Sequence, residues 1–529
     1  MQDQEARPAH VASVGVLGGG TAGYFTAIAL KRRFPGLRVT VVESSAIPII
    51  GVGEATTTLM PPFLHHQLGI DIVELYREVR PTWKLGIKFD WGLPGDYYFT
   101  YPFGLADSFD AYRHDGDIRN QNLASLLMAA DRSPILRDAA GEVQSLLLST
   151  KLAYHLHNAP FVAFLAKHAA RSGVEHIDAR VEVVAAPDQS RIEMLRADDG
   201  RELRFDLYVD ASGFSAQILG KALASPFQSF ASSLFCDRAV VADVPQRGGI
   251  VEPYTTAETM DHGWCWKIPV EGVDHRGYVH ASAFVSEADA IAEMRRKNPG
   301  MGDTWTVRFR SGRHAEFWKG NAVAVGNAYG FVEPLESTAL HMVIIEIAYL
   351  VAGLEAAGSG PVDLAETNRR VGAHWDYLRW FLAIHYKFNR KLDTAFWRAC
   401  REEVDVSGIA HALTRYQEQG PWKSPADVDI LVGDPAFGYS GLLVMLLGQK
   451  VDAPVVPSRF SPEAWAKRLA DQRALVDRAL PQAEALEILR ARPDLLQAFV
   501  SAPSSWCNTE GEVIVVSPAT GRTHMPHAP

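Results

Sequence analysis

Apolar and helical patterns alternate in a regular order near the N-terminus. Val14 to Leu17 form an apolar run suited to a buried parallel strand, and helical periodicity runs from Tyr24 to Arg33. A second apolar run, Leu37 to Val42, ends in Glu43. This order predicts a strand, a turn, a helix and a second parallel strand, the unit from which α/β sheets are built.

Glycines occupy the turn between the first strand and the helix, as Gly18, Gly20 and Gly23. In this spacing they let the backbone turn tightly and approach a pyrophosphate at the positive end of the helix. Glu43 stands where an acid accepts from a free ribose hydroxyl, which favours FAD or NAD over NADP. The glycines also suit a tight turn that binds no nucleotide, but the complete order of elements favours a dinucleotide site.

Two later segments repeat the pattern of a strand that ends in small residues. One is FDLYVDASGF, 205–214, and the other is NAVAVGNAYGFVEP, 321–334, with a turn at Gly326, Asn327 and Ala328. In two-domain flavoproteins such turns bring backbone N–H groups to the ribityl and pyrophosphate region. A plain NAD enzyme does not need these returns to the nucleotide site, so the pattern favours FAD.

Two tryptophans stand two residues apart in GWCWKIP, 263–269. In a strand, Trp264 and Trp266 project from the same face and form a flat aromatic wall. Pro269 has no N–H to donate, so we expect the strand to end there. Taken alone, the pair is also typical of an edge strand whose tryptophans cover a core.

Composition places the chain among ordinary globular proteins. Its 529 residues are 47% hydrophobic and 22% charged, which suits a large core and roughly two to four structural units. The net charge of -10 and the lack of a dense Lys/Arg cluster argue against nucleic acid as a partner. The sequence holds no uninterrupted apolar run of about 18 residues, so neither a transmembrane helix nor a membrane partner is expected.

Cysteine usage indicates a reducing compartment. Cys236, Cys265, Cys400 and Cys507 lie far apart and form no CxxC pair or Cys/His spacing typical of zinc, so no metal site is predicted. The N-terminus lacks the charged start and the long apolar stretch of a signal peptide. We therefore expect a cytoplasmic protein with reduced thiols.

The C-terminal part is rich in helical patterns. One of them is SPEAWAKRLADQRALVDRAL, which begins with Ser461 and Pro462 as a helix start. Phe437 and Tyr439 lie in a neighbouring apolar segment. They suit contacts with a flat substrate, but core packing is the favoured interpretation of both.

Further motifs accompany the tryptophan pair and the glycine turn. They are Gly53 to Thr56 in IIGVGEATT, the segment WKLGIKF, 83–89, and the segment PLEST, 334–338. In this order the set resembles the flavin-dependent halogenases, and most closely their tryptophan-halogenase branch. GWCWKIP fits the family's WxWxIP motif, and the Gly53 segment fits its GEAT-type flavin strap.

The resemblance implies an oxidoreductase that uses FAD as FADH2, supplied by a separate NADH-dependent flavin reductase, together with O2 and chloride or bromide. Hypohalous acid formed beside the flavin would pass through a tunnel to a lysine and then halogenate an electron-rich aromatic ring. The expected substrate is a small aromatic molecule, an indole or a tryptophan-like compound.

The resemblance assigns the catalytic roles to Lys84 and Glu336. A lysine buried in an apolar tunnel can be neutral and form a chloramine, or stay protonated and donate a hydrogen bond to HOCl. Lys88 is the alternative candidate for the catalytic lysine, because residues four apart share one face of a helix or a strand. The alignment of the motif favours Lys84. Glu336 can take the proton released by the ring or stabilise the cationic intermediate.

The resemblance also implies which residues bind the cofactor, the halide and the substrate. The cofactor residues are Gly18, Gly20, Thr21, Ala22, Gly23, Glu43, Gly53, Glu54, Ala55, Val183, Asn327 and Leu340. Backbone N–H groups of Thr338 and Ala339 would hold the halide. Trp264 and Trp266 would form a steric wall that keeps the substrate from the flavin.

Tyr101 and Phe103 are the expected contacts of the aromatic substrate, and Phe103 fits the family's aromatic platform. Two positions depart from the pattern of enzymes that act on free tryptophan. Ala339 stands where glycine is usual, which keeps the N–H but adds a methyl group near the halide. Tyr101 stands where histidine is usual. We therefore expect simple indoles without the amino-acid group to react at least as well as free tryptophan.

The expected fold is α/β: an FAD-binding box, made of a Rossmann-like GxGxxG domain with a second β-sheet, plus a mostly helical substrate-binding portion. We expect residues 11–110 and 150–345 to form the box, and residues 111–149 and 346–529 to form the helical portion. Two alternatives share the flavin motifs. They are an FAD-dependent aromatic monooxygenase, which has no use for Lys84 opposite Glu336, and a flavin-binding protein without turnover.

Overall fold

The computed structural model describes most of the chain. The described residues are 11–47, 53–104, 118, 122–147, 150–246, 248–358, 360–422, 438–455 and 460–501, with two short strands beyond. Phe437 and Cys507 lie outside these residues, and so does the side chain of Tyr439. The interpretations of Phe437 and Tyr439 therefore stay predictions.

The strands are numbered along the chain. They are β1 Ser13–Leu17, β2 Arg38–Glu43, β3 Glu54–Ala55, β4 Thr82–Lys84, β5 Gly86–Asp90, β6 Phe99–Pro102, β7 Arg132–Arg137, β8 Val143–Ser145, β9 Ala153–Leu156, β10 Glu175–Asp178, β11 Val181–Ala185, β12 Ile192–Ala197, β13 Glu202–Leu203, β14 Leu207–Asp210, β15 Phe227–Ser229, β16 Arg238–Pro245, β17 Thr255–Met260, β18 Gly263–Val270, β19 Val273–His280, β20 Thr304–Arg308, β21 Gly312–His314, β22 Trp318–Lys319, β23 Ala322–Ala324, β24 Gly330–Phe331, β25 Ala479–Pro481, β26 Val515–Val516 and β27 Thr523–His524.

The helices are numbered in the same way. They are α1 Thr21–Arg33, α2 Met60–Pro62, α3 Ile72–Glu78, α4 Leu123–Ala129, α5 Asn158–Arg171, α6 Glu287–Lys297, α7 Thr338–Ala357, α8 Leu364–Lys387, α9 Ala395–Glu403, α10 Ala410–Gln419, α11 Gly438–Gly448, α12 Pro462–Val476, α13 Gln482–Ala491 and α14 Pro493–Ser501.

A six-stranded sheet in the order β10-β2-β1-β14-β23-β22 carries the glycine turn. Its strands are parallel from β10 to β23, and every residue of β1 and of β14 is buried, as expected for strands covered on both faces. Strand β14 pairs with β1, with Val209 opposite Val16, and β23 pairs with β14, with Val323 opposite Val209. Both later strands therefore join the sheet that carries the glycine turn, whereas their approach to a bound nucleotide stays a prediction.

The tryptophan pair lies in a seven-stranded sheet with the order β20-β16-β19-β18-β17-β5-β6. Strand β18 is an interior strand, paired with β17 on one side and β19 on the other. The expectation that this strand ends at Pro269 was wrong by one residue, because Val270 still pairs with Val273 across the hairpin. Pro269 is tolerated this close to the turn, although it donates no ladder hydrogen bond.

Helices dominate after β24. The longest apolar one, α7, is long and apolar enough to cross a membrane, but 72% of its most apolar window is buried inside the protein. That burial is typical of a core helix. At α12 the expected start is confirmed, since Ser461 is the N-cap and its side chain accepts from the Ala464 N–H.

Candidate active site

The glycine turn between β1 and α1 is shaped by two contacts that admit no side chain. A Cβ on Gly18, which has φ +121°, would lie 2.3 Å from the carbonyl oxygen of Ala211. A Cβ on Gly23 would lie 1.9 Å from the carbonyl oxygen of Gly18. Around Gly20, by contrast, the space is open. Two glycines are thus needed for close packing, and the third leaves room for a ligand.

The start of α1 is prepared for an anion. Gly20 is its N-cap without a side-chain hydrogen bond, and its first turn holds no acidic residue. The hydroxyl of Thr21 is buried and has no partner among the described residues. Unpaired helix N–H groups with an unpartnered hydroxyl are the donors that a pyrophosphate requires. These residues fit an FAD dinucleotide, with Ala22 beside Thr21 in the same turn.

Glu43 closes one side of a cavity of about 420 Å³ next to this turn, and Gly19, Tyr24 and Gly53 also line it. Glu43 Oε1 accepts from the Tyr24 hydroxyl at 2.7 Å, and it lies 2.8 Å from His176 Nε2. A cavity of this size, with an acid at the end of β2, suits the ribose end of a dinucleotide.

The other residues predicted to bind the cofactor lie on several elements. Asn327 is exposed in the turn after β23, and the adjoining Gly326 approaches Ala22 of α1. Glu54 and Ala55 form β3, whereas Leu340 lies in the first turn of α7. Val183 lies on β11, in a separate three-stranded sheet.

Lys84 is fully buried at the end of β4. Its Nζ donates to the Thr56 carbonyl oxygen at 3.0 Å and to the Ser337 hydroxyl at 2.6 Å. Burial lowers the pKa of Lys84 to about 7, while the nearby Glu336 carboxyl opposes that shift. Thus Lys84 is a lysine whose neutral and protonated forms are both accessible near neutral pH.

Lys88 has a different environment. It lies on β5, half-buried, with Nζ 4.5 Å from the ring centre of Tyr98. The expectation that the two lysines share a face was wrong, because β4 and β5 belong to different sheets. The chain leaves the small sheet at Leu85, whose N–H donates to the Pro253 carbonyl oxygen.

Glu336 ends a short 3₁₀ turn, Pro334–Glu336, directly before α7. Its carboxylate is buried, with Oε1 2.8 Å from Nε2 of His385 on α8. Burial raises the pKa of Glu336, and His385 and Lys84 act in the opposite direction. A buried lysine and a buried carboxyl group therefore interact electrostatically in a water-poor region.

The start of α7 lies between these two groups. Ser337, in the left-handed conformation with φ +60°, is the N-cap, but its side chain makes no capping bond. The Thr338 hydroxyl is buried and has no partner among the described residues. Because the first N–H groups of a helix lack intrahelical acceptors, Thr338 and Ala339 present donors that suit a small anion.

Comparisons with known proteins agree with this geometry. A sequence profile of the tryptophan halogenase family matches residues 13–470. The chain belongs to the tryptophan halogenase family. It is a flavin-dependent halogenase of a tryptophan-like substrate, so the monooxygenase and the flavin protein without turnover are not supported.

Individual relatives cover most of the chain. Tryptophan 7-halogenase RebH of Lentzea aerocolonigenes is 33% identical over 78% of this chain and 83% of its own length. Tryptophan 7-halogenase KtzQ of Kutzneria sp. is 34% identical over 79% of this chain and 84% of its own length. The crystal structure of MibH, a lanthipeptide tryptophan 5-halogenase, is 44% identical, covers 95% of this chain and 98% of its own, and has a TM-score of 0.89.

The tryptophan pair of this halogenase forms a continuous buried surface. The ring centres of Trp264 and Trp266 lie 6.0 Å apart with an interplanar angle of 57°, so the prediction of neighbouring rings on one face is confirmed. The Trp264 indole N–H donates to Glu333 at 3.0 Å. That of Trp266 has no partner among the described residues. The two indoles are therefore held differently.

The two residues predicted to contact the substrate also lie near the tunnel lysine. Lys84 Nζ is 5.3 Å from the ring centre of Phe103, a cation–π distance. Tyr101 is buried on β6 with its hydroxyl close to α11, where a Cβ on Gly441 would lie 2.9 Å from it. Tyr101 thus lies where β6, an edge strand of the second sheet, packs against α11, and the contacts of both residues with a substrate stay predictions.

Sequence reasoning missed four side chains of this region: His385, Ser337, Glu333 and Tyr386. Glu333 is buried between the Trp264 indole and the Tyr386 hydroxyl, and burial raises its pKa to about 7. Ser337 and Glu333 stand within or beside PLEST, so their proximity to Glu336 was available as a signal. His385 lies 49 residues after Glu336 and Tyr386 lies 53 residues after Glu333, without a spacing that marks them.

Proposed function

We propose that this halogenase modifies the indole ring of a tryptophan residue carried in a peptide, with Lys84 and Glu336 as its catalytic pair. The observation that carries the proposal is the fully buried Lys84, bonded to Ser337 and electrostatically coupled to Glu336 at the uncapped start of α7. When bound as FADH2, the flavin would supply the electrons that reduce O2 to the level of peroxide, and the peroxide in turn oxidises the halide to hypohalous acid. The reduced cofactor comes from a separate NADH-dependent flavin reductase in the cytoplasm.

Lys84 holds the oxidised halogen near the ring. With two of its hydrogens directed at Thr56 and Ser337, a protonated amine keeps a third for the oxygen of hypohalous acid. The neutral amine instead has a lone pair that can bond to the halogen. Both forms make the halogen more electrophilic, and the pKa near 7 makes both accessible.

The chloride or bromide is held at the start of α7. Backbone N–H groups of Thr338 and Ala339 and the unpartnered Thr338 hydroxyl point to a common anion site, and the positive end of α7 favours the charge. Trp264 and Trp266 separate that site from the substrate. Their bulk blocks the organic substrate but leaves a path for a small oxidant.

The remaining cofactor contacts lie on several elements around the glycine turn. We assign the dinucleotide to the glycine turn, to Glu43 and to the strap from Gly53 to Ala55, with Val183, Asn327 and Leu340 completing the site. Residues 11–110 and 150–345 form this box, and residues 111–149 and 346–529 form the substrate portion. The pairing of β7 with the distant β25 on one side and with β8 on the other supports the second grouping.

A peptide substrate is favoured by the likeness to MibH. MibH is 44% identical to this chain, and the two chains cover each other almost completely. RebH is 33% identical over 78% of this chain. Tyr101 supports the same choice, since it occupies a position where enzymes of free tryptophan carry histidine. The amino and carboxyl groups of a tryptophan residue in a peptide are amides, so no ion pairs with them are required.

The test is a direct halogenation assay. The protein is incubated with FAD, a flavin reductase, NADH and either bromide or chloride, and mass spectrometry detects halogen isotope patterns. The substrates are a tryptophan-containing peptide, the same peptide with phenylalanine in place of tryptophan, free tryptophan and indole. We expect product from the tryptophan peptide and from indole, and none from the phenylalanine control.

Two results would contradict the proposal at different levels. Strong preference for free tryptophan over both the peptide and indole would refute the peptide substrate and leave halogenation intact. Unchanged product formation by Lys84→Ala, in a protein that binds FAD normally, would refute the role of the lysine. Lys88→Ala is the matched control, since Lys88 lies on a neighbouring strand and contacts Tyr98 instead.

A further inference from the structure

The Glu336 carboxyl is held from behind by a histidine that the chemistry above does not use. His385 Nε2 lies 2.8 Å from Glu336 Oε1, and their side chains are 0% and 1% exposed. The two residues come from different elements, the 3₁₀ turn before α7 and the last turn of α8. Helix packing therefore creates this contact.

The orientation of the imidazole fixes where its protons are. His385 Nδ1 lies 2.8 Å from the Phe381 carbonyl oxygen, which can only accept, so Nδ1 carries a hydrogen. The ring packs against Phe381 and Phe89, with centre distances of 5.0 Å and 5.6 Å. Nε2 consequently faces Glu336, and one proton lies between Nε2 and Oε1.

The geometry of this contact explains how the pair can take up a proton. Because Nδ1 carries a hydrogen, a 2.8 Å contact between Nε2 and Oε1 needs a proton on one of these two atoms. When Oε2 accepts a further proton, the proton between Oε1 and Nε2 can end on Nε2. The other charged group facing the pair is Lys84, whereas Tyr386 bonds to Glu333.

We propose that His385 is the final acceptor of the proton released when the halogenated ring becomes aromatic again, an inference that rests on the proposed function. The C–H bond at the halogenated carbon breaks, and its electron pair returns to the ring. The proton binds Glu336 Oε2, while the proton between Oε1 and Nε2 ends on Nε2. The ring loses one proton and the pair gains one, leaving a carboxylic acid and an imidazolium. His385 acts through Glu336 and is a positioning residue.

The test compares substrates within one reaction. His385→Gln keeps an amide that can donate to Glu336 but cannot take up a proton. We offer it an equal mixture of the tryptophan peptide and the same peptide with a fully deuterated indole. The natural enzyme should halogenate both alike. The variant should be slower on the order of 10²-fold and should prefer the unlabelled peptide, because C–H cleavage becomes rate-limiting. This ratio does not depend on how much enzyme is folded.

His374→Gln is the matched control. His374 is buried on the same helix, and its Nε2 contacts the Tyr349 hydroxyl at 3.3 Å, away from Glu336. It should change neither the rate nor the isotope ratio. His385→Asn is a second variant, in which the shorter side chain leaves room for added imidazole. Imidazole should restore its rate and remove the isotope preference.

Several outcomes would overturn the inference. They are an unchanged rate in His385→Gln, a slower reaction without isotope preference, and no effect of imidazole on His385→Asn. Loss of FAD binding in both His385 variants, with normal binding in His374→Gln, would assign His385 to folding alone and overturn it too. Retained halogenation in Lys84→Ala would count against the proposed function instead, so the two failures are distinguishable.

Discussion

Lys84 Nζ donates a 2.6 Å hydrogen bond to the Ser337 hydroxyl across 253 residues of sequence. Ser337 is the N-cap of α7, where a serine side chain ordinarily accepts from the helix N–H groups. Here that hydroxyl accepts a hydrogen bond from Lys84 and makes no capping bond to the helix. One contact therefore fixes the tunnel lysine and leaves the first N–H groups of α7 free to hold an anion.

Replacing Lys84 by methionine should raise the free energy of unfolding, most strongly at low pH. Burial lowers the folded-state pKa from 10.5 to about 7, so between these values the unfolded chain binds more protons than the folded one. The destabilisation by Lys84 is complete below that range and vanishes above it. We expect Lys84→Met to gain on the order of 3 to 5 kcal/mol at about pH 6.5 and much less at about pH 9.5.

Urea unfolding curves at the two pH values measure this difference. Lys88→Met is the control, because it replaces a nearby lysine that is half-buried over aromatic rings instead of fully buried. An advantage of Lys84→Met that is equal at both pH values would contradict a shifted lysine pKa. The variant should at the same time form no halogenated product, which makes the lysine a case of stability given up for function.

Glu336→Gln should lower halogenation on the order of 10²-fold while O2-driven flavin oxidation continues. The amide keeps the shape of the side chain but cannot accept the ring proton or oppose the positive charge that develops in the transition state. Product per turnover, by mass spectrometry, and flavin absorbance separate the two steps. Glu293→Gln is the control, since Glu293 is equally buried but bonds to the Tyr278 hydroxyl. Comparable losses in both variants would show a general effect of removing a buried acid.

Gly23→Ala and Gly20→Ala should separate packing from cofactor binding. A Cβ on Gly23 lies 1.9 Å from the Gly18 carbonyl oxygen, whereas one on Gly20 meets no atom within 4 Å. Gly23→Ala should therefore lower the melting temperature of the protein without FAD and weaken FAD binding. Gly20→Ala should weaken FAD binding alone, because its methyl group projects into the space left for the pyrophosphate. Calorimetric melting and FAD titration distinguish them, and normal FAD binding by both would reject the assigned site.

The first strand–helix–strand unit of the fold was predictable from local patterns. The expected strands and helix around the glycine turn agree with β1, α1 and β2 to within a few residues, because buried parallel strands and glycine turns are marked in short segments. The relation of Lys84 to Lys88 was not predictable in this way. It depends on the chain changing sheets at Leu85, where the backbone N–H donates to the carbonyl oxygen of Pro253, 168 residues further along the chain.

The site was predictable only where a motif carries it. Lys84, Glu336 and the tryptophans stand in recognisable segments, but His385 is one of two buried histidines on α8, and a buried histidine is more often structural. Its partner is set by how α8 packs against the turn before α7, a relation without a sequence signature. The position of Glu333, three residues before Glu336, can be read from the sequence. Its hydrogen bonds with Trp264 and Tyr386 depend on the tertiary packing and could not be predicted.

The two tryptophans should differ when each is replaced by phenylalanine. Trp264→Phe removes the indole donor at 3.0 Å from the buried Glu333, which leaves a polar group with one partner fewer and should destabilise the fold by about 1 to 3 kcal/mol. Trp266→Phe removes an N–H that has no partner among the described residues, and its effect should stay below about 1.5 kcal/mol. Urea unfolding at neutral pH measures both. Because a wall and not a charged group is altered, both variants should keep more halogenation than Lys84→Met, and an equally complete loss in either would show that an indole takes part in the chemistry.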